Sequence, residues 1–265
     1  MTTRRLTQAT VGAVPFAMLV FVLATALAVL PSPAHAAVTC PGGAADFDGD
    51  GLTDAEECLG VQLLDGTVVP LDPNKKDVFL IVVPTSPSRL PANPAEFISN
   101  SPPAGLDVTP HIVTSAQINP DTRLVTPTQK AIKMTESSEL NTDSAGQCNY
   151  GTPDDPALCI VFSQRIATSV RNTYTQFQPN ADPAVIAQVI DRYQKHTFAH
   201  EASHSMRVTK QTYDRCTGGT HHYKSGTNTI MDCQVIYTVK GGVITWTIGT
   251  TYTGTDPADI TLTTP

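Results

Sequence analysis

Positive charge is scarce in this chain: 17 Lys and Arg stand against 24 Asp and Glu, for a formal charge of −7. Loss of Arg4 and Arg5 with an N-terminal leader would take it to −9. That balance argues against nucleic acid as a partner and against charge-driven binding to acidic membranes. Aromatic residues are few, 6% of the chain with one Trp, yet at 40% hydrophobic the chain can bury an ordinary core. The six cysteines include no Cys-x-x-Cys spacing, so nothing supports a thiolate zinc site. No Glu follows His204, which excludes a zinc site whose third ligand is a downstream Glu. Internal repeats and long low-complexity segments are missing too, although Pro is frequent from Val83 to Pro127.

What is present begins with a leader. Arg4 and Arg5 precede an apolar run from Val11 to Leu30, and Ala34-His35-Ala36 supplies a small-residue cleavage site. Residues 1–36 are expected to be a secretory signal cut after Ala36; a retained anchor is the alternative, since the run is about long enough to span a bilayer. All six cysteines lie beyond it, and an oxidising compartment permits disulfides. Nearest-neighbour pairing is expected: Cys40–Cys58, Cys148–Cys159 and Cys216–Cys233. Roughly 230 mature residues suit one catalytic domain with a small appendage.

His200-Glu201-Ala202-Ser203-His204 carries the chemistry. Asp182-Pro183 is a helix start, Asp to cap and Pro at the first helical position. Val185, Ile186, Val189, Ile190 and Tyr193 then repeat at helical spacing. No Pro or Gly interrupts Ala184 to Lys210, so the helix is expected to run through the motif. Residues four apart share a helix face, so His200 and His204 can each offer a ring nitrogen to one Zn2+ at about 2.1 Å. Glu201, beside the ion, is placed to act as a general base on water.

A catalytic zinc takes a third protein ligand. His196 shares the helix face but stands about 12 Å along the axis from His204, too far to join it on one ion; a supporting or surface role is expected. His111 lies far upstream. The favoured third ligand is His222, with His221 as alternate and Asp214 and Asp232 as carboxylate fallbacks. Tyr213, Tyr223 and Tyr237 are candidate oxyanion stabilisers. Next comes Ser225-Gly226-Thr227-Asn228-Thr229-Ile230-Met231-Asp232, and with it the chain resembles the zincin metallopeptidases, in particular the metzincin branch, where a methionine turn lies beneath the metal. The resemblance implies that Met231 holds that turn. Metzincins carry Gly three residues and a third His six residues beyond the second His; here Arg207 and Lys210 stand at those places.

A second motif runs from Asp46 to Glu57. Oxygen-bearing residues fall at positions 1, 3, 5, 9 and 12 of a calcium loop, with Gly51 at position 6. Asp46, Asp48 and Asp50 would give side-chain oxygens to Ca2+, Leu52 its carbonyl, Asp54 a direct or water-bridged contact, and Glu57 both oxygens. No helix can precede the loop at Cys40-Pro41-Gly42-Gly43, so it resembles the Asp-rich repeats of thrombospondin type 3 or dockerin modules, with a structural role for the ion. The alternative is an acidic solvated loop.

Strands are expected in the β-branched and aromatic run of Leu71–Val83, buried on both faces, and at Asp107–Thr114, Lys130–Thr135 and Leu158–Phe162, followed by a hairpin of Val235–Val239 and Val243–Ile248 about Gly241-Gly242. The expected architecture is α+β: a zincin-like mixed sheet packed on an active-site helix, a small N-terminal calcium-loop appendage over 37–74, and a metallopeptidase domain over 75–265 ending in a β-hairpin. The expected function is that of a secreted, monomeric zinc endopeptidase acting on protein or peptide, without stable membrane association once the signal is cut. Two alternatives stand beside it: a non-catalytic calcium- and zinc-binding protein, and a zinc hydrolase of cell-wall amide bonds.

Overall fold

A computed structural model describes residues 44–102, 104–119, 121–142, 144–149, 158–206, 229–231 and 235–252. All of them fall in one compact unit. In chain order the elements are α1 (Asp54–Leu59), β1 (Val61–Gln62), β2 (Val68–Val69), β3 (Asp77–Val83), α2 (Glu96–Ser99), β4 (Thr109–Val113), β5 (Ile132–Glu136), β6 (Gly146–Asn149), β7 (Leu158–Val161), α3 (Ser163–Phe177), α4 (Pro183–Ser205), β8 (Ile236–Lys240) and β9 (Val243–Thr247). Five strands form one mixed sheet in the order β4-β3-β5-β7-β6. Three of its four pairings are parallel, and only the edge strand β6 runs antiparallel, against β7. The sheet packs against helices, and the expected hairpin β8–β9 is present, turning at Gly241 and Gly242, both at positive φ.

β3 has the near-continuous apolar run of a strand covered on both faces, and its residues divide by parity. Val78 and Leu80 join the cluster holding Phe198, Ala199 and Ala202 of α4, while Phe79 and Ile81 join Leu52, Val113 and Ile118 on the other face. The Asp-rich segment is therefore part of the sheet's second cover: Leu52 is fully buried against Phe79 and Ile81.

α4 starts as its sequence dictates, the Asp182 carboxylate accepting from the Ala184 amide at 2.8 Å with Pro183 in the first turn. Ile186, Val189, Ile190 and Tyr193 pack on Val170 and Tyr174 of α3, whereas Val185 is exposed. From Gln194 onward nearly every residue of α4 is buried, because sheet, α3 and the segment after β9 enclose it. Sequence reasoning missed α3 and β6. α3 follows β7 with no capping side chain, so the apolar run passes into helix without punctuation. β6, Gly-Gln-Cys-Asn, has little intrinsic strand preference and forms by pairing with β7.

Glu136 ends β5 as a buried carboxylate serving four donors. Its oxygens accept from the Ser163 hydroxyl at 2.5 Å, the Arg89 and Thr85 amides at 2.8 Å each, and the Ser88 hydroxyl at 2.8 Å. Burial opposes its ionisation, but these donors outweigh burial and hold it below the usual carboxylate range. A depressed folded-state pKa stabilises the fold above the unfolded value, and that contribution is lost as pH falls through the folded one. Glu136→Gln should cost about 2–3 kcal/mol at neutral pH in urea melts, with the gap to wild type closing below about pH 4. A gap that persists unchanged in acid would contradict the charge-based account.

Candidate functional site

The two motif imidazoles meet on the buried face of α4. Nε2 of His200 and Nε2 of His204 lie 3.0 Å apart, and both residues are nearly fully buried. Nδ1 of His200 is 2.8 Å from the carbonyl of Ile230, so it carries the proton and donates, leaving Nε2 as the lone-pair nitrogen. That is the tautomer a metal ligand requires. Two Zn–N bonds of about 2.1 Å at a tetrahedral angle span roughly 3.4 Å, so the pair fits an ion after opening by a few tenths of an ångström.

The Ile230 carbonyl comes from the turn that carries Met231. Thr229, Ile230 and Met231 are described, and Met231 is fully buried in the cluster with Ala199, Ala202 and Met206. A segment that sequence reasoning left unassigned fixes this turn to the helix. The Ile230 amide donates to Thr251 at 2.7 Å, His196 Nδ1 lies 2.9 Å from the Gly249 carbonyl, and the Tyr252 hydroxyl lies 2.8 Å from that of Ser203. His196 is thus a buried supporting residue. Gly249 is required here, because a Cβ would meet the Thr229 carbonyl oxygen at 1.8 Å.

Glu201 lies under the edge strand. A Cβ on Gly146 of β6 would stand 2.4 Å from Glu201 Oε1 and 2.7 Å from Thr197 Cγ2. Glu201 is 5% exposed, and burial pushes its carboxyl up to about 8. Cys148 of β6 and Cys159 of β7 form the expected disulfide. Its sulfurs pack on the Glu201 carbonyl at 2.9 and 3.3 Å, contacts made without a thiol hydrogen, and the Ser205 hydroxyl lies 3.0 Å from Cys159 Sγ. Cys58 is also disulfide-bonded. Cys40, Cys216 and Cys233 lie outside the described residues, as do His221, His222, Asp214, Asp232, Tyr213, Tyr223 and the leader. Tyr237 faces Phe177 and Trp246. His111 is not near this pair; its Nε2 is 2.5 Å from Asp77 Oδ1 and its ring stacks on Phe79.

The acidic loop forms a second cluster. Asp46 Oδ1 accepts from the Gly49 and Asp50 amides at 2.7 and 3.2 Å, and its Oδ2 accepts from Gly51 at 3.0 Å. Gly49 and Gly51 both take positive φ, which the turn requires. One oxygen from each of Asp46, Asp48 and Asp50 lies within 4.8 Å of the others. Burial first, then the neighbouring acids, push Asp50 up to about 7 and Glu57 to about 8. Asp54 caps the other side of the loop, its Oδ1 accepting from Phe47 at 2.9 Å. Asp77, which the loop pattern does not contain, joins Asp50 and Glu57 in a second group of the same spread. Its only sequence signal is a charge opening an otherwise apolar strand. The Asp50 carboxylate accepts from the Asp77 amide at 2.7 Å, and Gln129 Nε2 donates to the Asp50 and Asp77 carbonyls.

No protein-family model, curated protein or solved structure matches this chain. Among the described residues no helix is long and apolar enough to cross a membrane.

The contact between β6 and Glu201 has a direct consequence. Gly146→Ala should force strand and helix apart, costing about 1–3 kcal/mol in denaturant melts. Thr197→Ser removes the Cγ2 that crowds the same spot and should recover part of that loss. Full wild-type stability of Gly146→Ala would show that the strand does not approach Glu201 this closely.

Proposed function

We propose that the chain is a secreted zinc endopeptidase of zincin type, stiffened by calcium. The observation that carries the reading is the facing pair of His200 and His204 Nε2 atoms, 3.0 Å apart, with one tautomer set by the Ile230 carbonyl. Glu201 follows His200 on the same helix, and its carboxylate is buried beneath a sheet edge. Met231 buried against the helix and the mixed sheet packed on that helix add to the resemblance stated from the sequence.

His200 and His204 would hold the zinc, with His222, or His221, as the third ligand across the loop. When bound, zinc acts as a Lewis acid and eases deprotonation of water near neutral pH. Glu201 then accepts a proton from water and returns it to the leaving amine. A nearby dication also supplies what a buried carboxylate lacks, since burial alone raises its pKa. Cys148–Cys159 and Gly146 hold β6 against the helix around this carboxylate. Among the described residues β6 is hydrogen-bonded to β7 alone in the sheet, so its outer edge can take an extended peptide as a further strand. That favours peptide over small amide substrates. The Asp46–Glu57 loop would hold calcium with Asp46, Asp48, Asp50 and Glu57, and its role is to stabilise.

Glu201→Gln should retain stoichiometric zinc while hydrolysis of casein falls by about two to four orders of magnitude, and His204→Ala should lose the zinc. Undiminished cleavage by Glu201→Gln would remove the base from this mechanism. A folded wild-type protein that takes up no zinc would remove the enzyme reading altogether.

A further inference from the structure

The loop motif leaves one member of the acidic cluster unassigned. Asp77 is the first residue of β3, well beyond the loop's last ligand position, and it is 1% exposed. Its Oδ1 faces His111 Nε2, but its Oδ2 is buried without a hydrogen-bond partner. Glu57 is likewise 1% exposed, with both oxygens buried and unpartnered, as is Asp48 Oδ2. One oxygen each from Asp50, Glu57 and Asp77 lies within 4.8 Å of the other two. Ionised carboxylates only accept, so they cannot satisfy one another. Lys76, whose Nζ donates to the Asp48 carbonyl, reaches the outer side of the loop and forms no hydrogen bond to these orphaned oxygens.

We propose that Asp77 is a ligand of the loop's cation, so that bound calcium bridges the loop to the central region of the sheet. The proposal rests on the calcium reading of the loop. Calcium–oxygen distances of about 2.3–2.6 Å place ligands on opposite sides of one ion roughly 5 Å apart, which the spread of Asp50, Glu57 and Asp77 meets. A ligand on β3 changes what the ion does. A loop-only site orders a loop, whereas this one fastens Leu52 and its neighbours to the face of the sheet opposite α4. The Asp77 amide, donating to the Asp50 carboxylate, aligns the two segments, and the ion would neutralise the charge their alignment concentrates.

The test compares wild type, Asp77→Asn and Asp77→Ser as full secreted chains, with calcium affinity from titration calorimetry and melting temperature in calcium and in EDTA. Wild type should bind calcium and melt higher with it. Each variant should bind about tenfold or more weakly and lose most of the calcium-dependent rise. In EDTA each should melt at or above wild type, because one of several crowded like charges is gone. A merely structural Asp77 would lower melting equally in both media. Equal destabilisation in both, or wild-type affinity in the variants, overturns the assignment of Asp77 while leaving the loop reading intact. A wild type that binds no calcium overturns the loop reading itself. Two variants are used so that a folding failure in one leaves the other to decide.

Discussion

A carboxylate removed from water must be given donors, a cation or a proton, and the structure turns on how its buried acids meet that condition. Glu136 is given donors: four of them converge, and it stays ionised at the junction of β5, α3 and the loop after β3. The acids at the start of β3 receive too few. Backbone amides engage Asp46 and Asp50, but Glu57 and Asp77 keep orphaned oxygens, and their mutual repulsion adds to the cost of burial. Glu201 is the third case, a lone acid buried beneath Gly146 of β6, where burial dominates. The difference separates architecture from chemistry. A satisfied carboxylate is inert, while an unsatisfied one is a demand for a ligand.

Both candidate sites are organised by the same strand. β3 sends Val78 and Leu80 toward the helix that carries His200, Glu201 and His204, and Phe79 and Ile81 toward the acidic loop. Asp77 shares the parity of Phe79 and Ile81, so alternation along an extended chain puts its carboxylate on the loop side. Period two thus places a candidate hydrolytic centre and a candidate structural cation on opposite faces of one sheet. The two sites do not compete for ligands.

Much of this was legible in the residues. Asp182-Pro183 set the start of α4, Gly241-Gly242 the hairpin turn, and the apolar run from Val78 to Val83 a strand covered on both sides. Cys148 and Cys159 are also partners, because they sit opposite each other on β6 and β7. What could not be read was tertiary. β6 is a strand only because β7 lies beside it, and Gly146 matters only because Glu201 comes within reach of it. Likewise Asp77 looks like an ordinary strand-opening charge until the loop folds over it. The stretch 249–252, polar and unpatterned, fixes His196, Ser203 and the turn at Ile230 through contacts that no local rule anticipates.

That last stretch bears on why the helix ends as it does. A helix buried all round exposes no face on which water can satisfy polar side chains, so His196, His200 and Ser203 must each find a fixed partner. Gly249, Ile230 and Tyr252 provide those partners from segments distant in sequence. Each contact consumes the group that would otherwise leave the ring or hydroxyl free to turn. Nε2 of His200 opposes Nε2 of His204, and the next residue after His200, Glu201, lies under a strand that only glycine allows so close. The rigidity of the candidate site therefore follows from the burial of its helix end, which gives His196, His200 and Ser203 each a fixed partner.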